Sequence, residues 1–169
     1  LQHEAEEAGL GFHLVEGPRA LSPLVTANDE VVVIADGLLI EPRDAVERLG
    51  QGPAILAQPV ENGIPKGFER MDINRATAGL MRVPGRLVDR LVTLPPDCDV
   101  PSALTRIALQ AGVPVREMSA ADIAAAHWQL VRSETEAMEI EEGWLRRRMG
   151  VVHGLSPGRA LARYGVLGF

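Results

Sequence analysis

Apolar positions along the chain fall into two kinds of segment that alternate. Unbroken runs at residues 31–35 (VVVIA) and 54–57 (AILA) show no polar alternation, the signature of strands covered on both faces and therefore of a parallel sheet. Between them, residues 42–49 (PRDAVERL) open on proline at a first-turn position, place Ala45, Val46 and Leu49 on one stripe, and stop at Gly50. Residues 85–94 follow Pro84 and set Leu87, Val88, Leu91 and Val92 at helical spacing. A further helix, capped by Asp97 or Asp99, runs to Ala111 with Leu104, Ile107, Ala108 and Ala111 inward, and Gly112 ends it.

The remaining segments continue the alternation. Residues 2–8 have helix-forming composition and lead through Gly9 and Gly11 to a short strand at 12–15 (FHLV). The span 19–26 reads as a helix, although Pro23 inside it removes a hydrogen bond. Residues 59–67 gather Gly, Pro and Asn in a loop, and 77–83 and 113–117 read as strands. Ser119 caps a short helix with Asp122 in its first turn, and 133–149 forms a long helix that is acidic at its start and ends on Arg146, Arg147 and Arg148, matching the helix dipole. Helices interleaved with short apolar runs predict an α/β fold, a three-layer sandwich around a mainly parallel sheet. One domain over 1–150 accounts for the pattern, with 151–169 as a linker.

Composition narrows the function classes. Seventeen basic against twenty-three acidic residues leave a net charge of −6, the wrong sign for a broad nucleic-acid face. Lys66 is the only lysine among the 17 basic residues, so the many arginines reflect compositional bias and are not in themselves recognition forks. The single cysteine, Cys98, excludes an intrachain disulfide framework and makes a reducing compartment the expectation. His3, His13, His127 and His153 show no i, i+4 pairing and no cysteine neighbour, so neither a zinc site nor a catalytic triad is visible. No apolar run reaches the ~20 residues of a membrane helix. The chain starts at Leu1 without a signal-peptide pattern, and residues 160–169 (ALARYGVLGF) grow apolar toward the end, so it reads as part of a longer protein.

The most specific local feature is VVVIADGLL, which puts Asp36 at the carboxyl end of a strand, where open α/β sheets bind ligands. A carboxylate there suits Mg²⁺ bridging substrate phosphates, whereas Asp36-Gly37 is equally well a strand-ending turn closed by an Asx hydrogen bond. A phosphatase of the haloacid dehalogenase type also has an apolar strand before its aspartates, but it needs a nucleophile two positions earlier, where Ile34 stands. Lys66 and Arg70, in NGIPKGFERMD, could reach nucleotide phosphates or be solvated loop charges. Asp72, Asn74 and Arg75 read as a cap or turn before the next strand. Trp128 reads as core, with its indole N–H satisfied locally.

Taken in order, VVVIADGLL, MDINRATAGLMRVPGRLVDRL and DVPSALTRIALQAGVPVREM resemble the latter two-thirds of a sugar-nucleotidyltransferase-like domain, a family that joins a nucleoside triphosphate to a phosphorylated sugar or polyol. The resemblance implies a nucleotide-diphospho-sugar-transferase-like fold, Asp36 as Mg²⁺ ligand and catalytic residue, and Thr77, Ala78 and Gly79 beside the acceptor. It implies phosphate contacts for Lys66 and Arg70, with the family's glycine-rich nucleotide loop upstream of Leu1. A second metal-binding aspartate is expected soon after a tryptophan, but Gln129-Leu130-Val131-Arg132 follow Trp128, with Ser133 and Glu134 the nearest polar residues. Some family members resemble soluble front halves of CDP-alcohol phosphatidyltransferases. That likeness favours CTP as donor, a cytoplasmic site at the inner membrane face, and a membrane-embedded domain after residue 169. Two readings stand against the transferase: a catalytically inactive domain of the same fold with a structural, regulatory or docking role, and a small-molecule-binding α/β domain of another family.

Overall fold

A computed structural model describes residues 2–125 and 128–151. His127, His153 and the apolar tail, with the linker and junction expected there, lie outside the described residues. The chain divides into two compact units, Leu1–Leu130 and Val131–Phe169.

The first unit is mixed α/β. Helix α1 (Gln2–Glu7) is followed by 3₁₀ turns at Pro18–Ala20 and Ser22–Leu24, then β1 (Glu30–Ile34), β2 (Leu38–Leu39), α2 (Pro42–Leu49) and β3 (Ala54–Pro59). Next come α3 (Val60–Gly63), a 3₁₀ turn (Ile64–Lys66), β4 (Arg75–Pro84), a 3₁₀ helix (Gly85–Thr93), α4 (Val100–Gln110), β5 (Val115–Glu117), α5 (Ala120–Ala125) and β6 (Gln129–Leu130). Four strands form a sheet in the order β1-β4-β3-β5, and β2 pairs with β6.

The sheet is mixed, not mainly parallel. Strand β4 runs antiparallel to both of its neighbours, and only β3 and β5 pair in parallel. Strand alternation gives each face its own core. Ile55, Met81 and Val83 pack with Leu87, Val88 and Leu91 of the 3₁₀ helix and with Leu104 and Ile107 of α4. Leu56, Ala76, Ala78 and Leu80 point the other way, toward Leu49, Phe68, Met118, Ile123 and Trp128.

The expectation of burial on both faces holds for β3, whose residues 54–58 are all buried, and fails for β1. Strand β1 is an edge. Val31 and Val33 pack on the first core, whereas Val32 and Ile34 are 46% and 55% exposed on the other face. An unbroken β-branched run reports strand propensity, and its position in the sheet decides how many faces are covered. The segment read as a strand at 12–15 finds no partner strand among the described residues, and Leu14 is exposed. The proline that weakened the 19–26 helix divides it into two 3₁₀ turns, with Pro23 at the start of the second. Three-residue winding over Gly85–Thr93 stacks Val88 on Leu91 and turns Val92 outward, where α-helical spacing had placed it inward.

Local chemistry fixes the helices as their sequences suggest. Asp99 caps α4 by accepting from the Ser102 backbone N–H at 2.9 Å. Arg116 and Arg82 donate to the carbonyls that end α2, Arg116 to Leu49 and Arg82 to Gly50 at 2.9 Å. At α5 the Asp122 N–H donates to Ser119 Oγ at 3.1 Å, and the Asp122 carboxylate accepts from the Ser119 N–H and hydroxyl, a reciprocal box. Arg48 Nη1 joins Asp122 at 3.2 Å, linking α2 to α5. In the second unit, α6 (Glu134–Val151) begins with Ser133 Oγ accepting from the Glu136 N–H at 3.1 Å, while the Glu136 carboxylate accepts from the Arg132 N–H at 2.8 Å.

A hairpin precedes β4. Asp72 Oδ1 accepts from the N–H groups of Asn74 and Arg75 at 2.9 and 2.8 Å, and its other oxygen pairs with the Arg75 guanidinium at 2.6 Å, which confirms the turn reading. The Arg75 hydrogen bond holds the Asp72 carboxyl below its ordinary value of 3.8, and the Ser119 hydrogen bonds, followed by Arg48, do the same for Asp122. Depressed carboxylates stabilise the fold above the unfolded value and lose that contribution as pH falls through the depressed one. We therefore expect the melting temperature to decline below pH 3.8. The double variant Asp72→Asn, Asp122→Asn should be less stable at neutral pH and show a shallower acid decline, as read by thermal melts across the acid range.

Candidate functional site

The ladder between β3 and β4 contains a break that the rest of the site is built on. Ile55 faces Met81 and Ala57 faces Thr77, so Leu56 alone lies opposite Ala78, Gly79 and Leu80. This bulge adds two residues to β4 and releases backbone groups from regular pairing. Each released carbonyl is recovered: Gln58 Nε2 donates to Thr77 O at 3.0 Å, Trp128 Nε1 to Ala78 O at 2.7 Å, and the Ala35 N–H to Gly79 O at 2.7 Å. Gly79 has φ +75°, a conformation that L side chains rarely adopt, and an added Cβ would lie 3.2 Å from Ala35 Cβ and 3.3 Å from Phe68. The Thr77 hydroxyl oxygen accepts from the Gly79 N–H at 2.9 Å.

On its other edge β4 is covered in two pieces. Strand β1 pairs with residues 80–84, and the hairpin arm pairs lower down, where the Thr77 N–H donates to Glu69 O at 2.8 Å and Met71 N–H to Arg75 O at 2.9 Å. The bulge lies at the changeover between these two partners. A cleft of about 310 Å³ opens there, lined by Ala35 and Asp36 where β1 ends, by Gly67, Phe68 and Glu69 of the hairpin arm, by Thr77 and Gly79, and by Asp99, Ser102 and Thr105 around the start of α4. Its size lies at the small end of ligand sites.

Three carboxylates line this cleft. Glu69 accepts the Ser102 hydroxyl and Asp99 caps α4. Asp36 has no hydrogen-bond or ion-pair partner among the described residues, and it is exposed at the cleft. It occupies a turn closed by the Leu38 N–H donating to Ala35 O at 3.1 Å, with Gly37 at φ +73°. The Asp36-Gly37 turn is thus present but closed by the backbone and not by the expected Asx hydrogen bond, so the carboxylate remains available. Among the described residues no three His, Cys, Asp or Glu side chains converge as a ready-made metal site. A lone carboxylate of this kind fits Mg²⁺ only together with phosphate oxygens and water.

The other expected site residues are distributed unevenly. Thr77 and Gly79 line the cleft with Asp36, whereas Ala78 is fully buried and contributes its carbonyl to Trp128. Lys66 is exposed on its 3₁₀ turn and does not line the cleft. Arg70 borders a smaller neighbouring cleft of about 110 Å³, and its Nη1 donates to the carbonyl of Ile73 at 3.2 Å. Phe68, Glu69, Ser102 and Thr105 were not legible as site residues, because the hairpin and α4 meet β4 only through tertiary packing. No protein-family model matches this chain, and no curated protein matches its sequence. Among the described residues no helix is long and apolar enough to cross a membrane.

Two substitutions test the bulge. Gly79→Ala should destabilise the fold by more than ~1 kcal/mol, from positive φ and crowding together. Trp128→Phe keeps an aromatic ring but leaves Ala78 O without its donor, a loss of about 1–3 kcal/mol, to which the cavity left by the smaller side chain adds. Urea denaturation read by circular dichroism measures both; wild-type midpoints would mean that the bulge does not depend on these groups.

Proposed function

We propose that this chain is a nucleotidyltransferase-like domain of three-layer α/β type that transfers a nucleotidyl group, CMP favoured, from a nucleoside triphosphate to a phosphorylated sugar or polyol. The observation that carries the reading is the unpartnered Asp36 carboxylate at the end of β1, opening on the same cleft as Thr77 and Gly79. An oxygen of the acceptor phosphate attacks the α-phosphorus in line; the new P–O bond forms as the bond to pyrophosphate breaks, and pyrophosphate leaves. Asp36 would hold Mg²⁺ with phosphate oxygens, and the bound ion would offset the charge developing on the transferring group. The small side chain of Thr77 and the absence of one at Gly79 let a polyol approach the backbone. The preference for CMP and a place at the cytoplasmic face of a membrane, beside a membrane-embedded partner domain, follow from the sequence resemblance alone.

A non-catalytic domain of the same fold is the second reading. It is favoured by the charge of the cleft: Lys66 stands off it and Arg70 donates to its own loop, leaving Asp36, Glu69 and Asp99 as the charged lining. Thermal melting with Mg²⁺ and each nucleoside triphosphate in turn separates the two. At ~100 times its dissociation constant the true donor should raise the midpoint by about 5–10 °C, and Asp36→Asn should abolish the shift without altering the unliganded midpoint. No shift with any nucleotide would leave the non-catalytic domain.

A further inference from the structure

The smaller cleft beside the main one carries a charge pattern that the rest of the site does not. Arg70 from the hairpin arm and Arg106 from α4 both border it, and neither guanidinium has a carboxylate partner among the described residues. Arg48, Arg75, Arg132 and Arg146 are ion-paired, and Arg82 and Arg116 are taken up by backbone carbonyls at the end of α2, whereas Arg70 and Arg106 share the border of one cleft. Each arginine is held by one end only. Arg70 donates through Nη1 to its loop carbonyls and Arg106 through Nε to Ser102 O at 3.4 Å, so the remaining N–H groups are left for a ligand. Thr77 lies on the boundary: it lines both clefts, and its hydroxyl oxygen already accepts from Gly79, which leaves its proton to donate.

We propose that this cleft is a phosphate subsite, in which Arg70 and Arg106 clamp a phosphomonoester dianion while the body of the same molecule extends past Thr77 into the main cleft. Planar guanidinium forks from two different elements suit a tetrahedral dianion better than a point charge would. Glu69, which also lines both clefts, opposes the anion and is turned aside by the Ser102 hydroxyl. The identity of the molecule as the phosphorylated acceptor rests on the transferase reading; the phosphate subsite itself does not.

Inorganic phosphate titrated at neutral pH and constant ionic strength into isotope-labelled chain, followed by NMR, is the test. Saturable shifts should appear at Arg70, Thr77, Ser102 and Arg106. Arg70→Gln and Arg106→Gln, with unchanged urea midpoints, should each weaken binding at least about fivefold, and Glu69→Gln should tighten it, a gain that arginines with a purely structural role would not give. Absence of saturable shifts, or affinity indifferent to all three variants, overturns the subsite. Phosphate binding without any Mg²⁺-dependent nucleotide shift retains the subsite and removes the transferase; a nucleotide shift without phosphate binding does the reverse.

Discussion

Two extra residues in a central strand cannot be absorbed by a sheet without freeing backbone carbonyls, and a freed carbonyl in the interior needs a donor from somewhere. In this fold the donors for Thr77, Ala78 and Gly79 come from β3, from the segment before β6 and from the end of β1. Three stretches of chain remote in sequence are therefore tied to three consecutive residues. The arrangement leaves one loose end, the buried Oε1 of Gln58, which has no hydrogen-bond partner among the described residues. Gln58 is the only buried polar side chain among the described residues, and its amide is committed to the bulge.

This constraint explains why the cleft lies where it does. Strand β1 ends opposite Leu80 because the chain turns at Asp36-Gly37, and the hairpin arm reaches β4 only at its first residues. The bulge lies where one partner gives way to the other, held at Gly79 by Ala35 and at Thr77 by Glu69, with the Ala78 carbonyl left to Trp128. Concavity, a positive-φ glycine and a carboxylate at a strand end thus share one cause.

Much of the fold was legible in the chain. The boundaries of α2 follow from Pro42 and Gly50, the cap of α4 from one of the two aspartates the sequence offers, Asp97 and Asp99, and the cap of α5 from Ser119. Strand β3 was legible because its sheet position matches its pattern. Strand β1 was misread because VVVI encodes extended backbone without encoding neighbours, and the direction of β4 was hidden because antiparallel and parallel partners ask the same of a buried apolar strand. In the candidate site, Asp36 stood out by local chemistry, a carboxylate at a strand end, while Thr77 and Gly79 were expected there only through the family resemblance. Glu69, Ser102 and Thr105 did not stand out, since a serine and a threonine within a helix usually serve the helix, and Thr105 does bond Pro101 O at 2.8 Å.

Trp128 has a consequence of a different kind. Its indole is 1% exposed and hydrogen-bonded to the strand that forms the floor of the cleft. An indole so placed is a resident optical probe: its emission depends on the polarity around the ring, set by the apolar cluster of Leu56, Phe68 and Ile123, and on the bond at Nε1, which Ala78 O accepts. Movement of the cleft floor is thereby converted into a change of colour, written into the chain without any added label.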